Sequence, residues 1–259
     1  MRTIAIIQAR MGSSRLPGKV LRPVVGKPML AHIVERLRLA QGVDEVIVAT
    51  SDQVADVQIV NFCQQHDIAC FTGSESNVLD RFFRAALHYQ GDAVIRITAD
   101  CPLADPAMIS QLIALYQSGE YDHVSVATGA GALFMDGGRF PDGYDAECIR
   151  FTALHEAWRD ATLPGDREHV TPYLWRQPEK FRLQVLKSAT DYSSLRLTVD
   201  NEEDFQLIEH IYQALYQEHQ AFLLSDVVEF LTIHPELSHM NQAHIGNEGY
   251  AELWQAAAN

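Results

Sequence analysis

Residues 8–19 combine side chains that could bind a polyphosphate. They include three cations, two glycines and two hydroxyl side chains: Arg10, Arg15, Lys19, Gly12, Gly18, Ser13 and Ser14. Glycines allow backbone N–H groups to turn towards an anion, and the cations neutralise its charge. The glycine spacing matches neither the Walker A motif nor the dinucleotide-binding fingerprint. The alternative at this point is a solvated basic turn between a strand and a helix.

Two aspartates follow apolar runs and are candidate metal ligands. Asp100 comes after the run 93–98, and Asp200 comes after the run 195–199. In an open parallel sheet, ligands bind beyond the carboxyl ends of the strands, where the first and fourth strands are commonly neighbours. Asp100 would then face the basic loop, and Mg²⁺ between carboxylate and phosphate would relieve their repulsion. The alternative for each aspartate is a helix cap or a turn.

Three further clusters of charged residues are candidates for ligand binding. The first cluster lies at the start of a predicted helix. The second consists of two acidic residues, two positions apart in a predicted strand, which therefore lie on the same face of that strand. The third lies at the start of a later helix. In that order they are Asp80 and Arg81; Asp145 and Glu147; and Arg167, Glu168 and His169. The alternatives are a surface ion pair for the first cluster, a solvated strand face for the second and an exposed helix start for the third.

The bulk properties exclude several classes of protein. The chain has 259 residues, which suits one large α/β domain, and its formal charge of −14 argues against nucleic-acid binding. The four cysteines form no CxxC pair, which argues against a zinc ribbon or a disulfide framework. The apolar run at 4–7 is too short for a signal peptide, and no run of about 18 apolar residues follows. We therefore expect a soluble, cytoplasmic protein without a membrane partner.

Strands alternate with helices through the first half of the chain. Apolar runs predict strands at 4–7, 43–49, 68–71 and 93–98. Helical spacing predicts helices from Pro28 to Leu37, after residues 50–52, and over 78–89 and 106–116. This alternation is typical of a doubly wound, mainly parallel sheet in an α/β protein.

The regular alternation of strands and helices ends at about residue 121. We nevertheless predict a single domain over 1–259. Residues 121–190 are expected to form a smaller inserted sub-region, and 234–259 a polar C-terminal tail with a helix over about 248–257. Strands are predicted at 123–126, 143–149, 181–186 and 195–199. Helices are predicted at 151–160, 166–175, 201–217 and 225–232, the last capped by Ser225.

Several motifs together resemble those of a known enzyme family. They lie at 6–19, 26–29, 78–82, 96–103, 141–147, 167–172, 197–200 and 247–250, and so span nearly the whole chain. The set resembles the sugar cytidylyltransferases, which include the CMP-Kdo and CMP-neuraminate synthetases. It is most similar to the spore-coat polysaccharide biosynthesis protein F family. Gln8 stands where the Kdo and neuraminate enzymes commonly carry proline.

The resemblance implies a Rossmann-like nucleotide-diphospho-sugar transferase fold and a Mg²⁺-dependent reaction. CMP would pass from CTP to an acidic sugar or a phosphorylated small molecule, with release of pyrophosphate, in surface polysaccharide or glycan biosynthesis. Alternatives are the same fold using GTP or UTP with a sugar 1-phosphate, a glycosyltransferase that uses a nucleotide sugar, and a non-catalytic nucleotide-binding partner. Related synthetases often dimerise through the insertion region, so a homodimer is also an expectation.

The resemblance also implies roles for individual residues. Gln8 and Ala9 would lie at the base, and the backbone of Arg10, Met11, Gly12, Ser13 and Ser14 would face the phosphates. Arg15 and Lys19 would hold the leaving pyrophosphate and, with Lys27, form the catalytic set. Asp80 and Arg81 would complete the nucleotide site, and Asp100 and Asp200 would hold the metal. The acceptor would meet Asp145, Glu147, Arg167, Glu168 and His169.

Overall fold

A seven-stranded sheet forms the centre of the protein in a computed structural model that describes residues 1–128 and 137–244. In sheet order the strands are β5 (Ala69–Gly73), β4 (Glu45–Ser51), β1 (Thr3–Gln8), β6 (Ala93–Thr98), β8 (Glu147–Arg150), β7 (His123–Val126) and β9 (Leu183–Leu186). Strand β8 runs antiparallel to both of its neighbours, and the other pairs are parallel. A short hairpin pairs β2 (Pro23–Val24) with β3 (Lys27–Pro28). The predicted α/β class is confirmed.

Helices cover both faces of the sheet. They are α1 (Met29–Arg38), α2 (Val57–Gln65), α3 (Val78–His88), α4 (Pro106–Ser118), α5 (Phe151–Asp160), α6 (Pro164–His169), α7 (Pro172–Trp175), α8 (Glu202–Leu215), α9 (Leu224–Ile233) and α10 (Pro235–Ser238). Single turns of 3-10 helix lie at Lys19–Leu21, Val54–Asp56 and Gln242–His244. None of the helices in residues 1–128 and 137–244 has both the length and the apolarity to cross a membrane.

Strand β1 shows why the chain forms three layers. Ala5 and Ile7 face the core beneath α1, α4 and α8, whereas Ile4 and Ile6 face the core beneath α3 and α5. All four side chains are fully buried, so the strand is apolar on both faces, as expected inside a parallel sheet. Each such isoleucine contributes roughly 1.5–3 kcal/mol through burial. From β1 the chain continues to one side of the β1–β6 pair, and from β6 it continues to the other side. Open α/β sheets bind ligands at the carboxyl ends of the strands where the order reverses in this way.

The structure corrects two predicted helices. The helix predicted over 166–175 is two short helices, because Val170 takes a positive φ of 73° and Pro172 cannot continue the preceding helix. Ser225 does not cap α9, which begins at Leu224; instead the Asp226 carboxylate accepts the Leu223 N–H at 2.6 Å. The predicted tail helix and the glycine-rich segment 129–136 lie outside the described residues. The division into a sub-region and a tail stays a prediction.

The strand predicted at 195–199 was also wrong, since this segment joins no strand of the sheet. Its backbone bonds to two loops instead: Leu197 N–H donates to Asp142 O at 2.7 Å, and Val199 N–H donates to Asp100 O at 2.8 Å. The segment therefore ties the loop after β6 to the loop before β8, directly beside Asp200.

Gly143 is predicted to be required for this close approach. It has a φ of 94°, and a Cβ built there would lie 2.4 Å from Thr198 N. We expect Gly143→Ala to lower the free energy of unfolding by roughly 1–3 kcal/mol through backbone strain alone, measured by urea denaturation. Gly12→Ala is the control, because its Cβ would meet no atom within 4 Å. Equal stability of the two variants would contradict the prediction.

Candidate active site

Gln8 lies at the carboxyl end of β1 with its side-chain oxygen unsatisfied. Its backbone is fixed between neighbouring strands, because Ala99 N–H donates to Gln8 O at 2.9 Å and Ala9 N–H donates to Ala49 O at 3.2 Å. Among the described residues the buried Gln8 Oε1 has no hydrogen-bond partner. A buried amide oxygen without a partner is rare in folded proteins. This acceptor is therefore suited to a ligand donor such as an exocyclic amine.

The basic loop after β1 is anchored by a buried carboxylate. Asp56 accepts the Met11 N–H at 2.7 Å and also binds the N–H and hydroxyl of Ser51 at the end of β4. The Met11 carbonyl accepts N–H groups from Ser13 and Gly18, both at 3.0 Å. Two of the five N–H groups expected to face phosphates are thus engaged within the protein. Gly18 has a φ of 73°, which suits glycine and turns the chain towards Lys19.

Lys19 brings the two candidate metal ligands together. Its Nζ donates to Asp200 Oδ1 at 2.9 Å and to Val199 O at 2.5 Å, and it lies 3.8 Å from Asp100 Oδ2. The Lys19 side chain is only 9% exposed, whereas that of Asp100 is 31% exposed. Both aspartates, from distant parts of the chain, therefore lie within reach of one cation at the carboxyl end of β1.

A second group of charges surrounds the other oxygen of Asp200. Asp200 Oδ2 lies 2.9 Å from Arg15 Nη2 and 3.1 Å from Arg196 Nη2. Arg15 is 51% exposed, so its guanidinium can reach a ligand from solvent, whereas Arg196 is buried. Three cations thus converge on Asp200 in a chain that is acidic overall.

The donor set fits a magnesium ion held partly by substrate. Within residues 1–128 and 137–244, no cluster of three or more His, Cys, Asp and Glu side chains could hold a metal alone. Mg²⁺ is usually bound by one or two carboxylates together with substrate phosphates and water, which matches Asp100 and Asp200. Burial raises the pKa of Asp100, but the Lys19 ammonium and hydrogen bonds outweigh burial and bring this pKa below its ordinary value. The Asp100 carboxylate is therefore charged at neutral pH.

Asp145 lies just before β8, electrostatically close to Asp100. Its carboxylate accepts the Thr128 hydroxyl at 2.6 Å and the Gly143 N–H at 3.0 Å. Burial raises the pKa of Asp145, and the charges of Asp100 and Glu147 raise it further. Raised pKa values of this kind are more frequent at functional sites, although structural networks also produce them.

Glu147 is the centre of a buried polar cluster next to Asp145. Arg96 Nη1 donates to Glu147 Oε2 at 2.8 Å, and His123 Nε2 lies 3.0 Å from Glu147 Oε1. Burial raises the pKa of Glu147, but the His123 hydrogen bond and the Arg96 charge lower it to about 2. His169 interacts electrostatically with Glu147 and Arg96, and burial lowers its pKa, which leaves a neutral imidazole at pH 7.

Three predicted site residues have charged groups that bind neighbouring helices instead of facing Asp100 and Asp200. Lys27 Nζ pairs with Glu35 at 2.8 Å rather than with Asp100 or Asp200, because the β2–β3 hairpin carries it onto α1. Asp80 binds Arg84 and the Trp158 indole, and so joins α3 to α5. The Arg167 guanidinium donates to Trp158 O at 2.7 Å and to Ala161 O at 2.6 Å, where it satisfies the end of α5. Glu168 is exposed on α6.

Arg81, in contrast, lies on the side of the basic loop. Its side chain is buried, and Nη1 donates to Ser74 O at 2.6 Å. Its Nε is buried without a partner among the described residues, and Arg10 is one of its charged neighbours. Arg81 and Gln8 therefore both retain an unsatisfied polar atom at this end of the sheet.

Sequence reasoning missed two groups of residues that surround the predicted ones. They are Arg96, His123 and Thr171 around Glu147, and Arg196, Asp142, Asp204 and Asn241 around Asp200. Arg96 and Arg196 each interrupt an apolar run, and a charge inside a buried segment is a signal that could have identified them. The remaining residues belong to distant parts of the chain, so only the fold brings them together.

The fold and the site define a nucleotidyltransferase. Residues 4–229 match the model of the cytidylyltransferase family, and the chain belongs to that family. The chain is 31% identical to the spore coat polysaccharide biosynthesis protein SpsF of Bacillus subtilis over 92% of this chain and 97% of that protein. It is 33% identical to the 8-amino-3,8-dideoxy-manno-octulosonate cytidylyltransferase of Shewanella halifaxensis over 65% of this chain and 69% of the other.

A solved structure agrees with the fold. A cytidylyltransferase from Leptospira borgpetersenii superimposes with a TM-score of 0.82 at 28% identity, covering 92% of this chain and 96% of the other. The resemblance to sugar cytidylyltransferases and to the spore-coat family, and the prediction of an enzyme, are thereby confirmed.

Glu147 should stabilise the fold in a pH-dependent way. Its pKa falls from the ordinary 4.5 to about 2 on folding, so its contribution is present above pH 4.5 and is lost as pH falls towards 2. The wild type should gain stability over Glu147→Gln as pH rises. The difference between their free energies of unfolding should be about 3 kcal/mol larger at pH 7 than at pH 2. Urea denaturation at a series of pH values measures this difference. A difference independent of pH would contradict the lowered pKa.

Proposed function

We propose that this protein transfers CMP from CTP to an acidic sugar or a phosphorylated small molecule and releases pyrophosphate. One observation carries the proposal: the Lys19 ammonium contacts Asp200 and approaches Asp100 beside a basic loop at the carboxyl end of β1. Cations and paired carboxylates at one strand edge suit a nucleoside triphosphate with a divalent metal. Membership of the cytidylyltransferase family supports cytosine as the base.

The base would lie against Gln8, Ala9 and Arg81. Gln8 Oε1 supplies an acceptor and Arg81 Nε a donor, and both are buried without partners among the described residues. Cytosine offers a complementary set, with an amino group that donates and ring atoms that accept. Satisfying both buried groups would favour CTP over a nucleotide without the amino group, since an unsatisfied buried polar group costs about 1–3 kcal/mol.

Arg15 and Lys19 would bind the leaving pyrophosphate. An acceptor oxygen attacks the α-phosphorus, and a hydroxyl acceptor gives up its proton to water. A new P–O bond forms, and the bond to the β-phosphate oxygen breaks with its electron pair on pyrophosphate. The protein performs little covalent chemistry in such a transfer, so positioning and charge stabilisation dominate. The Arg15 guanidinium pairs with Asp200 but is half exposed, so phosphates could reach it from solvent, and Lys19 would be held close to them by Val199.

Asp100 and Asp200 would hold Mg²⁺, which would neutralise phosphate charge when bound. The Lys19 ammonium lies 2.9 Å from Asp200 Oδ1 and 3.8 Å from Asp100 Oδ2, and it lowers the pKa of Asp100. Asp100 is therefore available to a divalent cation as a charged carboxylate at neutral pH.

The acceptor would lie towards Asp145, Glu147 and His169. Asp145 is close to Asp100, and Glu147 continues the polar region to His169 with a neutral imidazole. Carboxylates and imidazole suit the hydroxyl groups of a sugar, and Arg96 adds a positive charge for an acidic group. The names of the relatives support this class, because one acts on an octulosonate and another belongs to polysaccharide biosynthesis.

A pyrophosphate-release screen tests the proposed function. CTP, GTP, UTP and ATP would each be combined with Mg²⁺ and with sugar acids, sugar phosphates and other phosphorylated acceptors. We expect release with CTP and at least one sugar acid or phosphorylated acceptor, and its loss when EDTA removes the metal. Release with GTP or UTP but not CTP would overturn the choice of base. Failure with every nucleotide would overturn the proposed transfer.

Lys19 should be essential for turnover but not for folding. Loss of one charge-stabilising contact lowers kcat by roughly 10²–10³-fold, so we expect this effect for Lys19→Ala. Pyrophosphate release measures kcat, and a cooperative thermal melt confirms that the variant is folded. Lys180→Ala is the control, because it removes the same side chain from an ion pair with Glu156 on α5 that has no part in the proposed transfer. Similar turnover in the two variants would exclude the role proposed for Lys19.

A further inference from the structure

One oxygen of the Asp200 carboxylate is held by a buried guanidinium. Arg196 Nη2 lies 3.1 Å from Asp200 Oδ2, and the Arg196 side chain is 1% exposed. Arg15 contacts the same oxygen but is half exposed, and exposed ion pairs contribute little to holding a geometry. Arg196 is therefore the contact that fixes Oδ2, which leaves Oδ1 directed at Lys19.

Arg196 is in turn fixed by two other carboxylates. Its Nε and Nη2 lie 3.0 and 3.1 Å from the two oxygens of Asp204, and its Nη1 lies 3.0 Å from Asp142 Oδ2. Asp204 Oδ2 also accepts the Asp200 N–H at 2.9 Å, so one carboxylate orients both the arginine and the Asp200 backbone. A lysine cannot reproduce these contacts, because only the planar fork of arginine presents several donors at fixed angles.

Asn241 connects this arrangement to the C-terminal part of the chain. Its side-chain amide donates to Asp204 Oδ1 at 2.8 Å and to the Arg196 carbonyl at 2.9 Å, and the residue is buried. Asn241 thus contacts both members of the Arg196–Asp204 pair, and it binds the Asp204 oxygen that does not accept the Asp200 N–H.

We propose that Arg196 is a positioning residue that sets the orientation of Asp200 for metal binding, with Asp204 and Asn241 as its supports. The proposal rests on the proposed role of Asp200 as a metal ligand. Groups that hydrogen-bond a metal-ligating carboxylate typically change metal affinity by 10–100-fold when they are removed. A residue that served only stability would lower the melting temperature without changing how strongly the metal enhances nucleotide binding.

Calorimetric titration of CTP with and without metal separates these roles. The dissociation constant of CTP would be measured in Mn²⁺ and in EDTA for the wild type and Arg196→Lys, in the absence of acceptor. We expect Mn²⁺ to tighten CTP binding to the wild type, and Arg196→Lys to lose roughly tenfold or more of that gain with little change in EDTA. Melting curves establish that each variant is folded.

Arg36→Lys is the matched control, because Arg36 is also buried but donates to backbone carbonyls, those of Ala104, Leu103 and Phe222. It should lose stability and keep the full metal-dependent gain. An undiminished gain in Arg196→Lys would overturn the inference while leaving the metal site intact. No gain in the wild type would overturn the proposed metal site and this inference with it.

If Arg196→Lys shows no cooperative melt, Asn241→Ala decides the question. This substitution removes the amide that supports Asp204 and Arg196 but leaves every charge in place. A reduced metal-dependent gain supports the proposal, and a gain equal to that of the wild type contradicts it.

Discussion

The ion pair between Lys19 and Asp200 is the interaction on which the candidate site depends. It joins the loop after β1 to a residue 181 positions later in the chain, at an Nζ–Oδ1 distance of 2.9 Å. The Val199 N–H bond to the Asp100 carbonyl then places both aspartates at the same edge of the sheet. The ion pair is nearly buried, and Asp200 also contacts Arg15 and Arg196 through its other oxygen, so its charge stays compensated on that side. The fold therefore places the carboxylates of Asp100 and Asp200 beside the basic loop after β1.

A local excess of positive charge would allow this acidic protein to bind an anion at the candidate site. The chain carries a formal charge of −14, but three cations, Lys19, Arg15 and Arg196, meet at Asp200. Of these, Arg15 is the exposed member and can turn to a ligand, whereas Arg196 is fixed by buried carboxylates. The difference between the two arginines follows from burial, since the low-dielectric interior strengthens the contacts of Arg196 with its carboxylates. A buried half of the site thus supports an exposed half.

The positions of the first strands along the chain, and of Asp100 after one of them, could be predicted from the sequence. Apolar runs and strand ends are local features. The segment before Asp200 has an equally apolar run, yet it forms no strand, since its partners are loops that the sequence does not bring together. Lys27 lies within a family motif, but a motif does not give the direction of a side chain, and Glu35 captures its ammonium. Asp204 and Asn241 could not have been assigned, because their contacts with Arg196 exist only in the folded chain. By contrast, the break in the helix predicted at 166–175 has a local signal, because Pro172 disfavours helical backbone in the residue before it.

The central claim is that Asp100 and Asp200 hold the metal of a bound CTP whose phosphates contact Arg15 and Lys19. Anomalous diffraction from crystals grown with CTP and Mn²⁺ tests it most directly, because the metal is located independently of the protein and nucleotide. We predict a manganese peak in contact with oxygens of both aspartates, with the triphosphate against Arg15 and Lys19. Bound CTP whose metal contacts neither aspartate would contradict the claim.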